Sequence, residues 1–229
     1  CPGAPHHYLA FPMRFVPHRK TVSPIKDPGV SDAVFLTSRD GLLWDRSFSQ
    51  AWLRPGRDER NWTHRNNMPA HGIVQTAPDE FSMYASEPYA WPDHRLRRLT
   101  IRRDGFASMH AVAASGEFTT RPLVFDGSRL RLNFATSAAG SVRVELQDEQ
   151  ARPVPGFALA DANELFGDEV DAVVSWKSGD DLSALAGKPR SQLSFRDRFD
   201  AFEGEIKDRN LIASYVPARA REDGPVEGV

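Results

Sequence analysis

The chain has 229 residues, a length that suits one large or two modest domains. Lys and Arg total 29 and Asp and Glu total 31, a formal net charge of -2 with no long run of one sign, so a nucleic-acid partner is not expected. The single cysteine, Cys1, excludes an internal disulfide framework and a cysteine-built zinc site, and no stretch is apolar enough for a membrane-spanning helix. No signal peptide is visible, and the sequence opens on Cys rather than Met. It is therefore expected to be part of a longer protein, and its compartment is left open.

Residues 5–16, P-H-H-Y-L-A-F-P-M-R-F-V, are predicted as a strand in which Pro12 demands an edge or a bulge. Residues 17–30 hold Pro17, Pro24, Pro28 and Gly29 and read as a loop. Val34 and Leu36 then alternate with Phe35 and Thr37, the period of a strand. Ser38, Arg39, Asp40 and Gly41 supply a turn, and Leu43 and Trp44 restart an apolar run. Gly41 tolerates positive φ, and Asp40 can bond backbone two residues on. Asp40, Gly41 and Trp44 are therefore assigned to bracing a hairpin with an aromatic clamp. Residues 48–56 form a short apolar piece ending in Pro55 and Gly56, and residues 61–69 are polar, aromatic and turn-rich.

Strands are predicted over 71–76, 81–85 and 95–103, with Pro78, Asp79 and Glu80 as a tight turn and 86–94 as a loop. In the last strand Leu96, Leu99 and Ile101 oppose arginines. The cluster of Arg95, Arg97 and Arg98 thus reads as the wet face of a strand rather than a phosphate clamp. Asp104 and Gly105 close a hairpin into 106–109. A second half begins near Gly116. Residues 129–134 alternate strictly, 137–140 form a turn, and 142–146 alternate back. Leu130, Leu132 and Phe134 should share a buried face with Val142, Val144 and Leu146. Further strands are predicted over 153–159, 170–176 and 193–195. Residues 180–187 are the best helical candidate, with Asp180 or Asp181 as N-cap and Gly187 as stop. Asp161, Glu164, Asp168 and Glu169 lack calcium-loop spacing and read as a surface turn. Short strands at roughly ten-residue spacing indicate an all-β fold.

The motif S-x-D-G-x-x-W at 38–44 resembles a turn found in blades of glycoside-hydrolase and sialidase-type propellers. A wider set of segments resembles a family of planctomycete-type bacterial proteins, itself similar to five-bladed β-propeller glycoside hydrolases of the invertase and arabinanase type. They are A-P-H-H-Y-L-A-F-P-M-R-F at 4–15, S-D-A-V-F-L-T-S-R-D-G-L-L-W at 31–44, L-R-P-G at 53–56, N-W-T-H-R-N-N at 61–67 and G-I-V-Q-T at 72–76. R-L-R-R-L-T-I-R-R-D-G-F at 95–106, T-S-A-A-G-S-V-R-V-E-L-Q-D at 136–148, P-G-F-A-L at 155–159 and L-A-G-K-P at 185–189 complete the set. The resemblance implies that 1–108 are the last blades of a propeller and that 109–206 form a β-sandwich; by composition, 207–229 read as a disordered tail. It implies a carbohydrate partner, no cofactor, and missing N-terminal blades of the same protein that would carry the Asp nucleophile and Glu acid/base. After Pro189 the chain leaves the family pattern, although Leu193 and Phe195 can still complete a last strand. In such a bacterial protein the acceptor pattern Asn61-Trp62-Thr63 is expected to be accidental.

On a propeller, sugars bind where the inner strands begin. If 71–76 is an inner strand, Arg65, Asn66 and Asn67 precede it at that face, and Ser86, Glu87, Pro88 and Tyr89 return to it. Arg65, Asn66, Asn67, Glu87 and Tyr89 are thus candidate substrate-binding residues, a set of polar contacts with a ring for stacking. The alternative is that Asn66 and Asn67 are turn residues and Glu87 is solvated. Glu87 is also the candidate catalytic group, but hydrolysis needs two carboxylates and it could be only one. His6 and His7 lack a partner at metal-ligand spacing, so no metal is expected and a capping role is preferred. A chain so divided either hydrolyses glycosidic bonds within a larger parent or serves as a non-catalytic glycan-binding or structural protein.

Overall fold

The computed structural model describes residues 1–5, 7–22, 28–109, 116–120, 124–187, 192–196, 201–205 and 212–214, the last three as strand backbone. The described residues are all-β, with several small antiparallel sheets and only short 3-10 turns. Among them no helix is long and apolar enough to cross a membrane. The chain divides into two compact units, over Cys1–Arg103 and over Asp104–Pro217.

The first unit opens with β1 (Tyr8–Ala10), β2 (Met13–Val16), β3 (Val30–Ala33), β4 (Leu36–Ser38) and β5 (Trp44–Asp45). β1 pairs with β4 and β2 with β3 at one shared register, from Tyr8 opposite Ser38 to Val16 opposite Val30. They are two halves of one hairpin, interrupted at Phe11-Pro12 and Val34-Phe35. Pro12 causes the break, because it has no N–H to give the ladder; its carbonyl still accepts from the Val34 N–H at 3.1 Å. At the break Phe11 and Phe35 meet with ring centroids 5.4 Å apart, and Trp52 packs on Phe11 at 4.4 Å. The third strand of this meander is partial: β5 pairs with β4, and Leu53 bridges to Ala33. Gly29 enters β3 at φ +87, where an added Cβ would lie 2.4 Å from the Phe15 ring.

The turn after β4 is built by side-chain oxygens. Asp40 Oδ1 accepts from the N–H groups of Leu42 and Leu43, both at 2.8 Å, and Ser38 Oγ accepts from the Gly41 N–H at 2.9 Å. These donors, Leu43 first, hold the Asp40 carboxyl below the ordinary carboxylate range. Gly41 takes φ +73, and Trp44 sits in β5 opposite Ser38. The apolar run past the turn is not a buried one, since Leu42 and Leu43 are 83% and 79% exposed.

A second meander follows: β6 (Met68–Pro69), β7 (Val74–Ala77), β8 (Glu80–Glu87) and β9 (Arg95–Arg102). β6 and β7 lie along the same edge of β8, and β9 pairs along its full length on the other side. Pro78 and Asp79 form the two-residue turn between β7 and β8. Phe81, Met83 and Ala85 share a buried face with Leu99 and Ile101. Leu96, expected on that side, has the opposite parity and is 66% exposed. Parity instead puts Arg97 beside Leu99 on the inward face.

In the second unit, β10 (Glu117–Thr119), β11 (Arg131–Ala135), β12 (Arg143–Gln147), β13 (Asp168–Val173), β14 (Gln192–Arg196), β15 (Ala201–Glu205) and β16 (Ile212–Ser214) form two antiparallel sheets. Their orders are β10-β14-β12 and β13-β11-β15-β16. Leu130, Leu132, Phe134, Val142, Val144 and Leu146 all enter one core cluster with Trp176. The expected shared face is there, but β11 and β12 belong to different sheets and do not pair as a hairpin. They meet through the core because β12 pairs instead with β14. Trp176 donates from Nε1 to the Val144 carbonyl at 2.9 Å, which satisfies its one polar atom inside the core.

Other expectations shift in detail. The 180–187 segment makes a single 3-10 turn at Ser183–Leu185, with Asp181 Oδ1 accepting from the Ser183 N–H at 2.9 Å. Residues 153–159 carry only a bridge to Gln147. Asp168 and Glu169 lie in β13 rather than in a turn. Residues 212–214, expected in a tail, pair as β16 with β15, and the rest of 207–229 lies outside the described residues.

Candidate functional site

The segment between the two meanders of the first unit is where polar side chains gather. Residues 54–67 contain no strand, so their backbone groups and the facing strand edges need other partners. A 3-10 turn at Glu59–Asn61 begins it, with Asp58 Oδ1 accepting from the Arg60 N–H at 3.0 Å. Four buried side chains follow: Asn61, Thr63, Asn66 and Asn67. The Thr63 carbonyl accepts from the Ser31 N–H at 3.1 Å, and Ser31 Oγ accepts from the Arg65 N–H at 2.9 Å. Asn67 donates from Nδ2 to the Ser31 carbonyl at 3.0 Å, and its own N–H donates to the Ser86 carbonyl at 3.1 Å. Asn66 Nδ2 donates to the Arg60 carbonyl at 3.2 Å and to Thr63 Oγ1, and Asn66 Oδ1 accepts from the Tyr89 N–H. The segment therefore joins β3 to the β8–β9 end through side-chain amides.

The structure brings Arg65, Asn66, Asn67, Glu87 and Tyr89 to this junction but gives them different positions. Asn66 and Asn67 are 0% and 4% exposed, with their amides turned to backbone. They act as braces there. Arg65 is exposed, and Tyr89 is half-buried beside it. Arg65 Nη1 donates to the Tyr89 hydroxyl at 3.0 Å, and its guanidinium carbon lies 5.6 Å from the ring centroid. His64 and His94 stand edge-on to Tyr89 at 5.9 and 5.7 Å. A cation with three aromatic rings thus occupies the rim at the β8–β9 loop.

Glu87 lies behind this rim at 7% exposure. The inward face of β8 and β9 runs from apolar Phe81 and Met83 to this carboxylate at its end. Its Oε1 accepts from Arg95 Nη2 at 2.9 Å, and its Oε2 from Arg97 Nη1 and Asn61 Nδ2, each at 3.4 Å. Arg60 bridges Asp58 and Asp93, each at 2.7 Å, and Arg95 approaches Asp93 at 3.4 Å. Hydrogen bonding to Asp58, then Asp93, raises the Arg60 guanidinium above its ordinary value, and Arg60 in turn lowers the Asp58 carboxyl. Both Glu87 oxygens are engaged, and the two acids linked to it through arginines are clamped by Arg60. The set orients guanidinium groups and an aromatic surface; it does not present two free carboxylates across a bond, which hydrolysis requires.

The sequence reading did not single out Asp32, whose side chain is 0% exposed. Arg14 holds both its oxygens, Nε to Oδ1 at 2.8 Å and Nη2 to Oδ2 at 2.9 Å, and Arg19 adds a bond to Oδ2 at 2.7 Å. Arg14 also donates to the Ser49 carbonyl at 2.7 Å. The hydrogen bond to Asp32 raises the Arg14 guanidinium above its ordinary value. Arg14 and Asp32 stand directly opposite in the β2–β3 register. That register was the available signal, but the long loop between the strands conceals it in the sequence.

His7 is buried, with its carbonyl accepting from the N-terminal amine at 2.8 Å, and His6 lies outside the described residues. Asn61 is 4% exposed, so its amide is inaccessible as a glycosylation acceptor. Among the described residues no group of three or more His, Cys, Asp or Glu is placed to hold a metal ion. No protein-family model, curated protein or solved structure matches this chain.

Proposed function

We propose that the chain is a carbohydrate-binding part of a glycoside-hydrolase-like protein, with propeller blades over 1–108 followed by a β-sandwich. Two successive antiparallel meanders before Asp104, and two sheets sharing one apolar core after it, support that architecture. The observation that carries the functional reading is the meeting of Arg65 with Tyr89, flanked by His64 and His94, at one loop end. Guanidinium donors that reach hydroxyls, set beside an aromatic surface, suit a sugar ring.

Binding rather than hydrolysis is favoured by the engagement of both Glu87 oxygens. In this reading Glu87 positions Arg95 and Arg97. The two carboxylates for hydrolysis would belong to blades that this sequence does not contain. Screening the full chain on a glycan array is the test. We expect binding to at least one saccharide class, lost in Tyr89→Ala and retained in a variant of a turn in the second unit, Asp148→Asn. Absence of binding to every saccharide, or full binding by Tyr89→Ala, refutes the reading.

A further inference from the structure

We propose that the Arg65–Tyr89 face selects saccharides bearing an anionic substituent, a uronate carboxylate or a sulfate ester, over neutral ones. The proposal rests on the carbohydrate reading above and adds the class of ligand. It comes from the difference between Arg65 and the arginines clustered around Glu87 and along β9. Arg60, Arg95 and Arg97 are matched by Asp58, Asp93 and Glu87, and Arg98 is paired with Glu80 at 2.6 Å. The charges of those pairs cancel locally. Arg65 is exposed, and among the described residues no carboxylate pairs with it. Among the described residues its side chain bonds only the neutral Tyr89 hydroxyl, through Nη1. A guanidinium has five N–H donors in a planar fork, so a pair remains for two oxygens of one anion.

The fold holds this cation in place at a conformational cost. Arg65 has φ +61 and Asn67 has φ +57, in the left-handed region that few side chains adopt. Ser31 fixes both: its hydroxyl accepts from the Arg65 N–H and its carbonyl from the Asn67 amide. The Tyr89 hydroxyl then anchors the far end of the Arg65 side chain. A long side chain held at both ends loses less entropy when a ligand arrives. The rings of His64, Tyr89 and His94 offer contact to the sugar body while Arg65 meets its charge.

The test is calorimetric titration of the full chain, at low salt, with oligogalacturonate, a sulfated galactan oligosaccharide of equal length, and neutral maltohexaose. At least one anionic ligand should bind about ten-fold or more tightly than maltohexaose, the scale of a charge-assisted bidentate contact. Raising salt from about 50 to about 500 mM should weaken that ligand and leave a neutral one unaffected. Arg65→Asn should abolish the preference while preserving the melt, because Asn accepts positive φ. Arg65→Lys should retain part of it. Preference for oligogalacturonate alone identifies a carboxylate, and for the sulfated ligand alone a sulfate ester. Equal affinity for neutral and anionic ligands, or a preference that survives Arg65→Asn, overturns the proposal and leaves carbohydrate binding standing. Binding of none of the three overturns this proposal, and the glycan array then decides the carbohydrate reading separately.

Discussion

Each of the two units is held together internally by its own means. After Asp104, two sheets converge on one apolar cluster around Trp176, from Phe125 and Leu130 to Leu182 and Leu185. Before it, small meanders are joined by buried polar side chains: Asp32 clasped by arginines, and Asn61, Asn66 and Asn67 bonded to backbone and to Glu87. The difference follows from the connections. Paired strands satisfy their own backbone and leave apolar faces to bury. The irregular 54–67 segment leaves donors and acceptors that apolar packing cannot satisfy, so side-chain amides take their place. Such a junction also fixes side chains at its surface, and Arg65 and Tyr89 are fixed there.

Substitutions in each unit test this contrast, and the largest effect belongs to the second. Trp176→Ala should destabilise it by about 3–5 kcal/mol, measured by urea unfolding, through loss of a buried ring and of its bond to Val144. A loss below about 1 kcal/mol would show that the cluster can collapse into the space and is not a packed core. Asp32→Ala should cost the first unit about 2–3 kcal/mol, below the full range for a broken buried ion pair because Arg14 and Arg19 retain water. Combining it with Arg14→Ala should recover part of that loss; strict additivity of the two would deny the pairing.

Asn67→Ala should cost about 2 kcal/mol, because it removes the amide that bonds Ser31 and places Ala at φ +57. Asn67→Gly relieves the backbone but not the amide, and should recover about 0.5–1 kcal/mol of it. If Gly restores full stability, the amide contributes nothing to the junction. The smallest effect is expected at the exposed Asp40 turn. The folded protein holds this carboxyl below its ordinary value, so its stabilisation is complete above about pH 4 and fades as pH falls through the folded-state value. The difference in Tm between the native chain and Asp40→Ala should therefore be greatest near neutrality and shrink in acid. A difference that widened on acidification would contradict the Asp40 hydrogen bonds.

Period-two alternation broken by Gly, Pro and Asp was enough to specify an all-β chain, the Ser38–Asp40 turn chemistry and the six-residue apolar core from Leu130 to Leu146. These are local properties: a side chain alternates or caps a turn whatever lies far away in the chain. Parity alone even contained the exposure of Leu96, which its apolar character masks. Pairing partners were another matter, because alternation states which face is buried and not which strand lies beside it. So β11 and β12 meet through a core and not as a hairpin, and Arg14 finds Asp32 across a proline-rich loop. Tertiary structure likewise divided five candidate residues of similar polarity into two kinds. Burial and backbone partners made Asn66 and Asn67 braces, while Arg65 stands exposed, its side chain held by Tyr89.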